Sequence, residues 1–127
     1  MGNPVVYFEI VGRDARALQD FYRQAFDWQI GPPIASGGPK DYAMVFPQAE
    51  GCINGGIGGG IGDRAGHVTF YIEVPDIKSV LRKVETLGGK RIMGPESIPN
   101  GPTIALFKDP EGHLIGLVQS AAAREKE

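Results

Sequence analysis

Hydrophobic and polar residues alternate along short segments of the chain, and the first such segment leads into a stretch with helical spacing. In residues 5–11 the apolar positions 6, 8 and 10 share one face of a strand, while Tyr7 and Glu9 lie on the other. Asp14 then precedes a helix whose apolar residues recur every three or four positions as far as Phe26. Three further strands are predicted between Gly- and Pro-rich turns, over residues 28–35, 42–46 and 52–57. The first half therefore predicts the element order βαβββ.

The second half of the chain repeats this order. A strand over 67–74 carries Tyr71 and Glu73, which stand 64 positions after Tyr7 and Glu9. A helix follows from Asp76 to the glycine pair at 88–89, and three more strands are predicted over residues 90–93, 102–107 and 113–119. This internal repeat predicts an α+β fold, in which two tandem βαβββ modules form a curved, cup-shaped sheet with helices on its outer face.

The length of 127 residues is typical of a single domain, and we expect one domain over 1–127. Its predicted parts are module 1 at about 4–60, a Gly-rich linker at 58–66, module 2 at about 67–120 and a tail at 121–127. Within the linker, the letters Gly60-x-Gly62-x-x-Ala65 match a dinucleotide fingerprint. A strand follows them rather than a helix, so no helix N-terminus would hold a pyrophosphate, and we expect no nucleotide there.

Charge and cysteine content exclude several classes of protein. The chain has 13 basic and 15 acidic residues and no long basic run, which argues against a nucleic acid partner. The single Cys52 cannot form an internal disulfide, and we interpret it as a buried small apolar residue. No apolar segment approaches the roughly 20 residues that cross a bilayer, so we expect a cytoplasmic protein without membrane contact.

The face of each sheet that its helix leaves uncovered is predicted to form the inside of the cup. Strand alternation directs Tyr7 and Glu9 into it from the first half, and Tyr71 and Glu73 from matching places in the second half. A carboxylate on such a face is costly to bury unless water, a partner or a ligand satisfies it. The two glutamates therefore indicate a polar, accessible cavity.

Three motifs carry a resemblance to a known family: FYRQAFDW at 21–28, the strand-helix-GG unit at 67–89, and KDPEGHLIGLVQ at 108–119. With them the chain resembles the vicinal oxygen chelate superfamily, which groups glyoxalase I, bleomycin-resistance proteins and extradiol dioxygenases. The resemblance extends from Val5 to about Gln119 and implies the paired-module fold. It does not select one reaction, since this superfamily includes isomerases, lyases, dioxygenases, epimerases and drug-binding proteins.

The metal site of the family is not reproduced in the sequence. The resemblance places the two imidazole ligands of metal-using members at Val5 and Thr69, and their two carboxylates at Gly55 and Gly116. None of these residues is a His, Asp or Glu, and His67, two positions before Thr69, is the one candidate that remains. We therefore expect no metal and no cofactor.

We predict a metal-independent protein that binds a small organic molecule in the cup, as bleomycin-resistance proteins do, and that forms a homodimer. The predicted ligand contacts are made by side chains that stack, donate hydrogen bonds or leave room: Tyr7, Thr69, Tyr71, Trp28, Gly55 and Gly116. An alternative is a lyase, isomerase or epimerase acting on a small oxo compound, with Glu9 and Glu73 as acid-base residues. A metal-dependent glyoxalase or dioxygenase that uses His67 is the third possibility.

Overall fold

The strands and helices follow the alternating and helical segments of the sequence. A computed structural model describes residues 2–34, 40–59, 66–98 and 101–119. In these residues the elements are β1 (Val5–Gly12), α1 (Ala15–Phe26), β2 (Lys40–Val45), β3 (Asn54–Gly59), β4 (His67–Glu73), α2 (Ile77–Thr86), β5 (Lys90–Ser97), β6 (Thr103–Lys108) and β7 (Leu114–Gln119). The predicted α+β class is confirmed. The chain divides into a first unit, Tyr7–Thr69, and a second unit, Met1–Val6 with Phe70–Glu127.

In the first unit, β3 lies between β2 and β1. It runs parallel to β1, with Glu9 beside Gly56, and antiparallel to β2. Helix α1 covers one face of these strands, where Ile10, Val45 and Ile57 form a buried core. The residues between them in the alternation, among them Tyr7 and Glu9, therefore lie on the face opposite the helix.

Helix α1 begins and ends where the sequence predicts. The Asp14 side chain accepts a hydrogen bond from the backbone N–H of Ala17, and Asp27 ends the helix in the left-handed conformation, with φ of 57°. Gln19 is 2% exposed, and its side-chain amide donates to the carbonyl oxygens of Asp41 and Ile57, each at 2.9 Å. This one side chain joins the helix to both β2 and β3.

The strand predicted over residues 28–35 is only partly formed. Ile30 makes an isolated bridge to Val45, and the N–H of Gly31 donates to the carbonyl of Met44 at 2.9 Å. The next two residues, Pro32 and Pro33, have no N–H to donate, which interrupts a regular ladder. The segment therefore follows β2 without becoming a full strand, and its predicted end at Ala35 lies outside the described residues.

The second unit has the complete predicted order of elements. Its strands are arranged β4-β7-β6-β5, with β4 and β7 parallel and Tyr71 beside Gly116. Helix α2 begins at Asp76, which accepts from the N–H groups of Lys78 and Ser79. Ile77 and Leu81 of the helix pack with strand residues into a second core, formed also by Val74, Ala105, Phe107 and Leu117.

Two predictions about the connecting segments fall largely outside the described residues. The linker residues 60–65, with the dinucleotide-like letters Gly60, Gly62 and Ala65, and the tail 121–127 are not described. The first two linker positions, 58 and 59, are the last residues of β3. The division into one domain with two modules stays a prediction. In the described part of the chain, no helix is both long and apolar enough to cross a membrane.

Candidate functional site

A nearly buried carboxylate lies on the helix-free face of the first unit. Glu9 is 9% exposed, and both of its carboxylate oxygens make hydrogen bonds. Oε1 lies 2.9 Å from Nε2 of His67, and Oε2 accepts from the hydroxyl of Tyr42 at 3.0 Å. The hydroxyls of Tyr42 and Tyr7 are 2.7 Å apart. We call Tyr7, Glu9, Tyr42 and His67 the Glu9 cluster.

The hydrogen bonds of this cluster have a fixed direction. An ionised carboxylate only accepts, so Tyr42 must use its single proton to donate to Glu9. The Tyr42 oxygen then accepts from the hydroxyl of Tyr7, which therefore donates. For the same reason, His67 must donate to Glu9 through Nε2. Glu9 therefore accepts a hydrogen bond from His67 on one carboxylate oxygen and from Tyr42 on the other.

Neighbouring residues of β2 and β3 make room for this arrangement. Tyr42 and Met44 are two apart in β2 and share the face of Glu9, and the Tyr7 hydroxyl lies 3.5 Å from the Met44 sulfur. Gly56 is the partner of Glu9 on β3, and a Cβ at Gly56 would overlap the Tyr42 hydroxyl. A glycine is thus required where the Tyr42 ring crosses the sheet.

The surroundings keep both phenols protonated. Burial raises the pKa of Tyr7 to about 12, and the negative charge of Glu9 adds to the rise. The pKa of Tyr42 is raised as well, first by burial and then by the charge of Glu9. Both hydroxyls are therefore donors at neutral pH.

The two predicted acid-base residues, Glu9 and Glu73, have different surroundings in the structure. Glu9 lies in the first unit with His67 and Tyr42, whereas Glu73 lies in the second unit and is exposed. Thr69, a predicted ligand contact, is buried in the first unit. The sequence repeat matches Glu9 with Glu73 by position, but the groups around these two carboxylates differ.

The space beside the two predicted glycines is filled by side chains of the protein. A Cβ at Gly55 would lie 2.5 Å from the ring of Phe8, and one at Gly116 would lie 2.5 Å from the ring of Tyr71. Gly55 is moreover the partner of Phe8, which packs against the core under α1. Tyr71 lies beside Gly116, and the matching Tyr7 lies beside Asn54, so the sequence alignment of Gly55 with Gly116 is shifted by one position.

The structure also shows the surroundings of Trp28 and Cys52. Trp28 packs under α1, with its ring 5.4 Å from Phe8 and 4.9 Å from Tyr22, and so lies on the face opposite Glu9. Cys52, which we interpreted as buried, is exposed. It follows a turn in which its N–H donates to the carbonyl of Ala49, and this places it before β3 rather than in the sheet.

The residues at the metal positions of the family do not fit a chelated metal. Val5 and the two glycines carry no donor atom, and Thr69 supplies only a hydroxyl. His67 directs Nε2 to Glu9. Within the described ranges, no three His, Cys, Asp or Glu side chains come together in a group that could hold an ion.

A cavity of about 690 Å³ lies in the second unit, where α2 begins. It is bordered by Asp76 and Lys78 of the first helical turn and by Ser97 and Thr103 at the ends of β5 and β6. None of the predicted site residues lines it.

Sequence reasoning did not find Tyr42 or the contact between His67 and Glu9. The sequence places Tyr42 in a strand and indicates no role for it, because the pairing of strands that brings it to Glu9 is not visible in one sequence. One available signal was the glycine at position 56, which leaves a gap that a large neighbouring side chain can fill.

Comparisons with known proteins agree with this architecture. The family model described as Glyoxalase/Bleomycin resistance protein/Dioxygenase superfamily matches residues 5–117. A probable lactoylglutathione lyase from Synechocystis sp. is 32% identical over 66 residues, which is 51% of this chain and 49% of that protein. The match therefore spans about half of that curated relative.

Solved structures share the fold. Methylmalonyl-CoA epimerase from Mycobacterium tuberculosis superimposes with a TM-score of 0.64 at 14% identity, covering 97% of this chain and 91% of that one. A variant of the Streptomyces coelicolor epimerase, in complex with 2-nitronate-propionyl-CoA, gives 0.70 at 17% identity, with 94% and 96% covered. At these identities the likeness shows the fold alone.

Proposed function

The chain belongs to the glyoxalase/bleomycin resistance protein/dioxygenase superfamily, and on that premise we propose that it binds a small organic molecule at the Glu9 cluster without a metal. The observation that carries this proposal is the carboxylate of Glu9, nearly buried and bonded to both His67 and Tyr42. A site of this composition offers a negative charge, an imidazole and phenol groups on one face of a sheet.

The energetics of burial support a role in binding. Taking a carboxylate out of water costs several kcal/mol before its hydrogen bonds offset the loss. Well-packed apolar side chains of similar volume would often serve the fold of the first unit as well or better. Retaining Glu9, His67 and Tyr42 in a group is therefore better explained by recognition or chemistry than by stability.

A ligand screen on metal-free protein tests this proposal. The protein is treated with excess EDTA, dialysed, incubated with a metabolite extract and examined by native mass spectrometry for a retained compound. Losing a hydrogen bond to a charged group costs about 1.5–3 kcal/mol, so Glu9→Gln and Tyr42→Phe are expected to weaken binding roughly 10- to 100-fold. Glu50→Gln, on an exposed turn, is the matched control. Retention that depends on added metal, or that neither variant changes, would contradict the proposal.

A second candidate function is catalysis by a lyase, isomerase or epimerase on a small oxo compound. The contact of 2.9 Å between Glu9 and His67 favours it, because paired titratable side chains are the usual means of general acid-base catalysis. Glu73 stays a predicted participant. If Glu9→Gln and Glu73→Gln both keep full turnover of an identified substrate, neither carboxylate is an essential acid or base.

The remaining predictions are open to direct measurement. We expect a homodimer, which light scattering on the purified protein would show as twice the mass of the chain. The cytoplasmic location stays a prediction from the sequence. Elemental analysis of protein purified without chelator tests the metal-dependent alternative, since a stoichiometric metal that His67→Ala removes would replace our proposal with that one.

A further inference from the structure

We infer that His67, oriented by Glu9, is the base that removes a proton from the bound molecule, and that Glu9 is its positioning residue. This inference rests on the acid-base function proposed for the Glu9 cluster. It changes the assignment made from the sequence, in which the glutamates themselves act on the substrate.

The direction of the hydrogen bonds decides the protonation of the imidazole. Glu9 accepts from Tyr42 on Oε2 and from His67 on Oε1, so Nε2 of His67 carries a hydrogen. In a neutral imidazole the other nitrogen, Nδ1, then has a free electron pair. A carboxylate that holds an imidazole in one tautomer and stabilises its protonated form is the arrangement found in catalytic triads.

Exposure favours His67 over Glu9 as the group that meets a bound molecule. The side chain of His67 is 20% exposed and that of Glu9 is 11% exposed. Both oxygens of Glu9 are already engaged with His67 and Tyr42, whereas the structure assigns His67 only its contact with Glu9 among the described residues. His67 is therefore the more exposed member of the pair, and Nδ1 is the nitrogen that does not face Glu9.

The reaction that fits is proton removal from a carbon next to a carbonyl group. The C–H bond breaks, an N–H bond forms at Nδ1 of His67, and the electron pair moves onto the carbonyl oxygen as an enolate. The imidazolium is stabilised by the charge of Glu9. Protonation of the same carbon from its opposite face by water, with His67 passing its proton to the hydroxide that remains, completes an epimerisation. Delivery of the proton by His67 to a different carbon of the enolate completes an isomerisation, and neither reaction needs an oxidant or reductant. The substrate class is a small oxo compound with an acidic C–H.

Nitrogen NMR of the ligand-free protein tests the tautomer directly. His113, the other histidine of the chain, is an internal reference, because its Nδ1 lies 2.9 Å from Asp109 Oδ2. The backbone N–H of His113 lowers the pKa of Asp109, which keeps this carboxylate an acceptor. At about pH 8.5, where an ordinary imidazole is neutral, we expect a hydrogen on Nε2 of His67 and on Nδ1 of His113. A hydrogen on Nδ1 of His67, alone or together with Nε2, would overturn the inference.

A variant tests the role of Glu9 in the same spectrum. In Glu9→Leu, exchange of the Nε2 hydrogen of His67 with water is expected to become about tenfold faster, the factor that corresponds to losing one hydrogen bond. The signals of His113 should not change. Glu9→Ala, which also removes the acceptor oxygens, is the second variant in case leucine prevents folding. Unchanged exchange in a folded variant contradicts the positioning role.

Chemical modification tests whether Nδ1 is available. Diethyl pyrocarbonate acylates unprotonated imidazole nitrogens, and peptide mass mapping identifies the modified histidine. We expect modification of both His67 and the more exposed His113, whose side chain is 68% exposed. If only His113 reacts, Nδ1 of His67 is not accessible and the inference fails, even if the ligand screen finds a bound compound. If His67 reacts but no ligand is ever retained, the proposed function fails instead.

Discussion

A single added methyl group at Gly56 tests the geometry of the Glu9 cluster. A Cβ at this position would overlap the Tyr42 hydroxyl, and the ring of Tyr42 cannot move away while it keeps its bond to Glu9. The variant Gly56→Ala must therefore displace Tyr42, bend β3, or both. In either case we expect the bond between Tyr42 and Glu9 to be lost.

The expected change in the free energy of unfolding has three contributions. Overpacking a well-packed site costs about 1–3 kcal/mol, and a lost hydrogen bond to a charged partner costs about 1.5–3 kcal/mol. Replacing glycine by alanine in a strand returns roughly 0.5–1 kcal/mol of backbone entropy. We expect Gly56→Ala to lower the free energy of unfolding by about 2–5 kcal/mol.

Urea unfolding of a double-mutant cycle is the assay. In a Tyr42→Ala background the obstructing ring is absent, so adding Gly56→Ala should cost much less than it does in the parent protein. If the costs of Gly56→Ala and Tyr42→Ala simply add, the ring of Tyr42 does not occupy the space beside Gly56 and the reasoning is wrong.

Three further predictions concern the same unit. Tyr7 holds its proton more tightly in the folded state, since its pKa is raised to about 12. Its contribution to stability is therefore full below about pH 10 and is lost as the pH rises towards 12. An absorbance titration should show tyrosines that ionise late, and Tyr7→Phe and Tyr42→Phe should each remove one of them. Replacing Gln19 by Leu leaves two carbonyl oxygens without their donor and should cost about 1–3 kcal/mol in urea unfolding, whereas Gln24→Leu on the exposed side of α1 should change little. Asp14→Ala removes the N-terminal cap of α1 and should cost about 1 kcal/mol; no loss would mean that the cap contributes nothing.

The elements could be predicted from the sequence because their signals are local. Alternation with a period of two placed Tyr7 and Glu9 opposite the helix face, and Asp14 and Asp76 marked the starts of both helices. The strand predicted at 28–35 is only partly formed, because two consecutive prolines lack the N–H groups that a regular ladder needs.

The cluster itself could not be predicted, because it depends on which strands pair and in which register. Tyr42 reaches Glu9 only because β3 lies between β2 and β1 and carries a glycine at the crossing point. His67 stands 58 positions from Glu9, and strand alternation gives its face but not its partner. The one-position error at Gly55 has the same origin, since a shift of one residue in a strand exchanges the two faces of the sheet.

The repeated Tyr-x-Glu of the two halves illustrates what duplication does and does not determine. Copying a module preserves the alternation, so Glu9 and Glu73 occupy matching strand positions. Their chemistry depends on the residues that later differed: Glu9 stands beside Gly56, which admits Tyr42, whereas Glu73 stands beside Val118 and is exposed. A carboxylate becomes a positioning or reacting group through such neighbours, and we therefore expect Glu9→Gln to affect ligand binding far more than Glu73→Gln. Equal effects of the two substitutions would show that the matching positions, and not the surroundings, determine the function.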